Sequence, residues 1–297
     1  MRTSLKRVLA AGGGAIAAAA AVAAGMYLNG APPTPTVADI AYGPDPAQRL
    51  DVWRPQGKGP FPIVLTVHGG AFLFGGKRGH DGLKQDIAAL LSNGIAVAST
   101  NYRMWGEARF PAAAGDVTTA IAALRRKARL LDIDPGRVAL WGKSTGANLA
   151  LLAGLSEGRA LIGAERIEPV AAIVAMYPPV RFDAMDDQLR NSPCGTKAAT
   201  HGAGDSPESM WLGSPVSKRE DLVAAASPIS YVSASSPPVL LQAGGADCTV
   251  PHEQSEMLAD ALRKVGGKVH LDIVPDAQHI DPVFDKPGNL ANVVRFL

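Results

Sequence analysis

The stretch Trp141-Gly142-Lys143-Ser144-Thr145-Gly146-Ala147-Asn148 decides how this chain folds. Before it, Arg137-Val138-Ala139-Leu140-Trp141 is short, apolar and β-prone. After it, Ala147 to Ala153 is a run of strong helix formers. A strand, a tight turn centred on a serine between two glycines, and then a helix form the context of a nucleophile elbow. Such a turn lifts the Ser144 hydroxyl above the strand tips. It also sets the Thr145 N–H at a helix start, where backbone donors lack intrahelical partners and can meet an anion.

Working outward, strands and helices alternate on both sides of the elbow. Arg49–Trp53, Pro62–His68, Ile95–Ser99, Ala171–Met176, Val239–Gln242 and Val269–Val274 read as strands. Several are continuous apolar runs rather than alternating ones, the mark of strands buried on both faces. Leu83–Leu91, Pro111–Leu131, Glu253–Val265 and Asn289–Phe296 read as helices, the first three closed by Asn93-Gly94, Asp134-Pro135-Gly136 and Gly266-Gly267. The expected class is α/β: a mostly parallel sheet with helices on both faces. Residues 180–227, polar and rich in glycine and proline, break the rhythm and are expected to form a small insertion, or cap, over the strand tips.

The chain has 297 residues, 47% of them hydrophobic, enough for one domain with a sizeable core. Its net charge is +2, but Arg2, Lys6 and Arg7 lie in an acid-free leader, so the remainder is slightly acidic. With no run of lysine or arginine, nucleic acid is not an expected partner. Residues 1–30 combine that basic start with an uncharged stretch from Val8 to Leu28, followed by Ala-Pro-Pro-Thr-Pro-Thr. They read as an export signal, or as an uncleaved membrane anchor, leaving residues 31–297 as a domain outside the cytoplasm.

A serine nucleophile needs a base, an acid to orient the base, and donors for an oxyanion. His279 follows the last strand in Pro275-Asp276-Ala277-Gln278-His279, and Asp247 follows the preceding strand in Gly244-Gly245-Ala246-Asp247. Loops at strand C-termini hold sites in open α/β sheets, so Ser144, Asp247 and His279 are the expected nucleophile, acid and base. Asp272, Asp276 and Asp281 are weaker rivals for the acid: the first lies within a strand, and the others are too near His279 along the chain. After the strand Pro62–His68 comes Gly69-Gly70-Ala71-Phe72, a loop whose N–H groups can turn toward a substrate oxygen. The expected oxyanion donors are Gly70, Ala71 and Thr145, with His68 bracing the loop. No metal or other cofactor is implied.

His68-Gly69-Gly70-Ala71, Asn101-Tyr102-Arg103, Phe110-Pro111-Ala112, Asp116-Val117, Gly142-x-Ser144-x-Gly146, Ala246-Asp247-Cys248-Thr249-Val250-Pro251 and His279 together resemble the α/β-hydrolase esterases. The resemblance is to the branch shared by bifunctional feruloyl/acetyl-xylan esterases and hormone-sensitive-lipase-like carboxylesterases, and it covers residues 40–297. It implies the α/β-hydrolase fold, a Ser144–His279–Asp247 triad, and hydrolysis of esters, small or polysaccharide-linked, with Asp116 as a structural brace at a helix start; residues 180–227, rich in Asp, Ser, Gly and Pro, offer no long apolar lid, so short acyl chains are expected. Thr145 and Ala147 replace the usual alanine and glycine after the serine, and Ala71 replaces a third glycine. Alternatives at this point are an amidase or peptidase-like serine hydrolase, and a non-catalytic binding protein of the same fold. Cys194 in the insertion and Cys248 beside Asp247 are the only cysteines, and export would let them form a disulfide.

Overall fold

The computed structural model describes residues 30–79, 82–156 and 166–297. Apart from Gly30, the expected leader lies outside the described residues. Within them, eight strands form one sheet: β1 (Val37–Ala41), β2 (Arg49–Trp53), β3 (Phe61–Val67), β4 (Ala96–Thr100), β5 (Ile133–Lys143), β6 (Ile173–Met176), β7 (Val239–Gly244) and β8 (Val269–Val274). Their spatial order is β1-β2-β4-β3-β5-β6-β7-β8. β1 and β2 run antiparallel at one edge, and every pair from β4 to β8 is parallel.

The helices divide between the two faces. Helices α1 (Leu83–Ser92) and α9 (Pro287–Phe296) cover one face, with Leu83, Ile87, Leu90, Leu290 and Val293 packed among Val64, Val97 and Val174. The other face is covered by α2 (Ala112–Arg126), α4 (Thr145–Ser156) and α8 (Glu253–Lys264). There Val117, Ile121, Leu149, Leu151 and Leu258 meet Ile63, Leu65, Val67 and Ile173. Successive residues of β3 thus feed opposite cores, which is why the strand reads as an unbroken apolar run. Every residue of α4 is buried, so the elbow helix has no polar face.

Some boundaries differ from the sequence reading. The single helix expected over 111–131 divides at Lys127 into α2 and the short α3 (Ala128–Leu131). β5 begins at Ile133, so Asp134-Pro135-Gly136 lies inside a strand rather than closing a helix. β1 is an edge strand with three exposed residues and none fully buried, so no buried alternation betrays it.

The insertion is more ordered than its composition suggests. It contains α5 (Phe182–Arg190), α6 (Pro207–Leu212) and α7 (Glu220–Ala225), plus a single 3₁₀ turn at Val216–Lys218. Asp205-Ser206-Pro207-Glu208 reads as loop in the sequence but starts a helix. The Ser206 side chain accepts the Ser209 N–H at 3.1 Å, and Pro207 follows in the first turn. Phe182, Met185, Leu189, Trp211 and Val223 anchor the insertion by burying their side chains.

Candidate active site

At the tip of β5 the chain turns through Ser144, which holds φ of +55°. A non-glycine residue in this region is strained, and the strain persists only where surrounding bonds fix it. Here the Ser144 N–H donates to the Met176 carbonyl at 2.9 Å, and the Ser144 carbonyl accepts the Ala147 N–H at 2.8 Å. Gly146 is required by close approach, since a Cβ there would overlap the carbonyl oxygens of Val67 and His68.

The structure brings Ser144, His279 and Asp247 together from three different strand tips. His279 Nε2 lies 2.9 Å from Ser144 Oγ, and His279 Nδ1 lies 2.7 Å from Asp247 Oδ2. A carboxylate only accepts, so Nδ1 carries the proton and Nε2 turns its lone pair to the serine hydroxyl. Asp247 Oδ1 accepts the N–H groups of Thr249 and Val250 at 2.8 and 2.9 Å. Two of the rival carboxylates are engaged elsewhere. Asp272 pairs with His270 at 3.0 Å, and Asp281 accepts the Val283 N–H at 2.9 Å.

The loop after β3 runs through three consecutive positive φ angles: Gly70 at +118°, Ala71 at +54° and Phe72 at +58°. The Gly70 carbonyl is turned into the loop, where it accepts from Leu73 and Phe74 at 2.9 and 3.1 Å. Strain at Ala71 and Phe72 is opposed by burial: Phe72 is fully buried and stacks on Trp211 of the insertion with centroids 3.9 Å apart. The far end of the loop is held by charge. Lys77 Nζ reaches Asp39 and Asp51 at 2.6 and 2.7 Å, Arg78 also pairs with Asp51, and the Lys77 N–H donates to Asn101 Oδ1 at 2.7 Å.

His68 braces the loop as the sequence suggests. It is fully buried, and its Nδ1–H donates to the Gly69 carbonyl at 2.7 Å. Its ring stacks on Tyr102, whose hydroxyl donates to the His68 carbonyl at 2.9 Å. Burial, opposed by the Gly69 hydrogen bond, pushes the His68 pKa down to about 4, so the ring is neutral at pH 7. Asp116 lies a turn inside α2 rather than at its start. There it accepts from the Arg103 N–H at 2.9 Å, the Arg103 guanidinium at 2.6 Å and Gln48 Nε2 at 2.7 Å.

Several residues of the site carry no motif. Tyr177, at φ +42° just beyond β6, sets its ring edge-on to His279 with centroids 4.7 Å apart, and Phe284 supports it from 5.2 Å. Only the strained position at a strand tip connects them to the site, and sequence does not show strain.

A family model described as BD-FAE matches residues 50–262. The chain belongs to the BD-FAE family. The matched span carries Ser144 and Asp247 and ends before His279. This BD-FAE chain is 32% identical to esterase LipC of Mycobacterium tuberculosis over 232 residues, 76% of the chain. It spans 55% of that relative's length. Among solved structures, a truncated carbohydrate esterase from gut microbiota is similar at a TM-score of 0.78 and 25% identity, covering 90% of this chain and 98% of its own. An acetyl ester-xyloside bifunctional hydrolase from Caldicellulosiruptor lactoaceticus shares the fold at a TM-score of 0.69 and 24% identity, covering 89% of this chain and 96% of its own. The sheet and these likenesses make the BD-FAE chain an α/β-hydrolase.

Two fasteners tie the insertion to the loop of Asp247. Cys194 and Cys248 form a disulfide across a separation of 54 residues. By the chain-entropy model a loop of this size restricts the unfolded state by about 4 kcal/mol. Reduction, or replacement of both cysteines by alanine, is expected to lower Tm by about 7 °C and to lower kcat as well. Melting curves and initial rates with and without reductant check this, and an unchanged Tm would contradict it.

The second fastener is His201. Its Nδ1 lies 3.0 Å from Glu208 Oε1 and its Nε2 lies 2.9 Å from the Thr249 carbonyl, so both nitrogens face acceptors and both donate. Burial pulls the His201 pKa down, but the charge and hydrogen bond of Glu208, with Asp186 and the Thr249 carbonyl, outweigh it and raise the value. A raised histidine pKa contributes stability fully below the unfolded value of about 6.5 and loses it as pH rises through the folded value. The Tm advantage of wild type over His201→Gln is therefore expected to be greatest near pH 6 and to shrink at higher pH. Paired melting curves across pH test the sign, and a gap that widens with pH would refute it.

Proposed function

We propose that this chain is an exported serine carboxylesterase that hydrolyses short-chain acyl esters, small or carbohydrate-linked, through an acyl-enzyme. The observation that carries the reading is the unbroken line from Ser144 Oγ through the His279 ring to Asp247, with hydrogen-bond distances of 2.9 and 2.7 Å. His279 takes the proton as Ser144 attacks the ester carbonyl, and Asp247 holds the ring and its developing positive charge. The N–H groups of Gly70, Ala71 and Thr145 hold the oxyanion. His279 then returns the proton to the leaving alcohol, and water, activated the same way, releases the acid. The esterases and carbohydrate esterase among the similar proteins support the ester class.

Phe72, the residue after Ala71, stacks on Trp211, with Phe110 and Phe182 edge-on to Trp211, so the interior beside this loop is filled by rings and leaves an acyl chain little depth, which supports a short-acyl preference. The Cys194–Cys248 disulfide and the basic, then uncharged leader support export.

The test is a substrate series of p-nitrophenyl acetate, butyrate and octanoate with acetylated xylan and methyl ferulate, alongside labelling by a phosphonate ester. Turnover that is fastest on acetate, with one equivalent of label on Ser144, is expected. No ester turnover, or label on another residue, would overturn the mechanism. A higher kcat/KM for octanoate would overturn the acyl preference.

A further inference from the structure

Lys143 occupies the variable position of the elbow, one residue before Ser144. Its side chain is only 6% exposed, and its ammonium sits between two carboxylates. Nζ lies 2.8 Å from Asp285 Oδ1 and 3.0 Å from Asp86 Oδ2, with the Trp141 ring 5.6 Å away. Asp86 comes from α1. Asp285 ends a 3₁₀ turn at Pro282–Asp285, in the segment that begins at His279. The contact is tight, because a Cβ on Gly82 would overlap both the Asp285 carboxylate and the Lys143 ammonium.

Burying Lys143 and Asp86, with Asp285 largely covered beside them, is costly, and well-packed apolar side chains of the same volume commonly give equal or greater stability. Burial alone pulls the Lys143 pKa down, but the charges and hydrogen bonds of Asp86 and Asp285 more than offset it and keep the ammonium charged. Burial, with Asp285 adding to it and Lys143 opposing it, pushes the Asp86 pKa up to about 7.

The placement of the trio gives the cost a use. Ser144 and His279 lie 135 residues apart and must meet at 2.9 Å. Through the sheet they are joined only by way of β5, β6, β7 and β8. The Lys143–Asp285 bond bypasses that route, because Lys143 is covalently next to Ser144 and Asp285 is in the segment of His279. A displacement of about 1 Å between reacting groups can cost about a hundredfold in rate.

We propose that Lys143 is a positioning residue for ester hydrolysis, its ammonium clamping Asp285 so that the His279 segment is fixed to the elbow, with Asp86 holding the ammonium from the opposite element. This rests on Ser144 and His279 acting as nucleophile and base. Lys143 touches no reacting atom; it acts through the separation of the two that do.

The experiment compares wild type with Lys143→Met, with Asp285→Asn, and with the triple variant Lys143→Met, Asp86→Asn and Asp285→Asn. Rates on p-nitrophenyl acetate are divided by the fraction of Ser144 labelled by the phosphonate ester, so unfolded protein does not count. Lys143→Met is expected to lose tenfold to a hundredfold in kcat with KM within twofold. Asp285→Asn keeps an acceptor for the ammonium and is expected to lose less than threefold. The triple variant strands no buried charge, so it is expected to recover much of the Tm lost by Lys143→Met while kcat stays low. A triple variant with wild-type kcat would overturn the proposal, as would Lys143→Met with reduced Tm but wild-type kcat. Wild type without ester turnover or Ser144 labelling would instead defeat the underlying mechanism, which keeps the two failures apart.

Discussion

Ser144→Ala is expected to lower kcat on p-nitrophenyl acetate by on the order of 10⁶-fold, the loss found when a serine hydrolase is deprived of its nucleophile. The size follows from the geometry. Among the described residues Ser144 Oγ is the hydroxyl that meets His279 Nε2, and that oxygen, 2.9 Å away, is the one that would form the acyl bond. Alanine removes that oxygen while leaving the φ of +55° and the Met176 and Ala147 backbone bonds to hold the turn. Tm should therefore change by no more than a few degrees. Activity within tenfold of wild type, with folding intact, would exclude Ser144 as nucleophile.

Asp247→Asn is expected to cost about 10⁴-fold in kcat, the magnitude seen when a serine hydrolase's histidine is forced into the wrong tautomer. Asp247 Oδ1 is held by the N–H groups of Thr249 and Val250. In asparagine the carbonyl oxygen must keep those two donors, so the amide NH₂ takes the Oδ2 position and points at His279 Nδ1. That nitrogen then has to accept, and the ring proton moves to Nε2. There it faces Ser144 Oγ and removes the lone pair that would take the serine's proton. The number of hydrogen bonds is unchanged, so Tm should barely move. Rates measured alongside melting curves check both halves, and kcat within tenfold of wild type would be incompatible with the acid role.

What sequence shows, and what it hides, depends on how far a residue's partners lie along the chain. Ser144, Asp247 and His279 stand out because each follows a recognisable strand by a few residues, and parallel strands bring their tips to one edge. Gly146 and the Gly70 loop stand out because close backbone approach and positive φ leave few other residues possible. Lys143 is hidden, since Asp86 and Asp285 belong to elements that no local pattern pairs with the elbow. His201 is hidden for the same reason: its acceptors are Glu208, 7 residues away, and the Thr249 carbonyl, 48 away. The helices of the insertion are short, and their buried side chains face loops rather than a sheet. α6 and α7 are six residues each, too short to show a period, and although α5 carries Phe182, Met185 and Leu189 at helical spacing, the Asp, Ser, Gly and Pro around it make residues 180–227 read as loop.

The way that insertion is held bears on how substrate reaches Ser144. It is bonded covalently at Cys194, through His201 to the Thr249 carbonyl, and by the stacking of Trp211 on Phe72. Three anchors on two different loops leave no hinge about which it could swing. Lipases that open such a segment at an oil–water boundary accelerate sharply once their substrate aggregates. A segment riveted in place has no closed state to leave, so tributyrin hydrolysis should follow simple saturation across the solubility limit, with no surge in rate when droplets form.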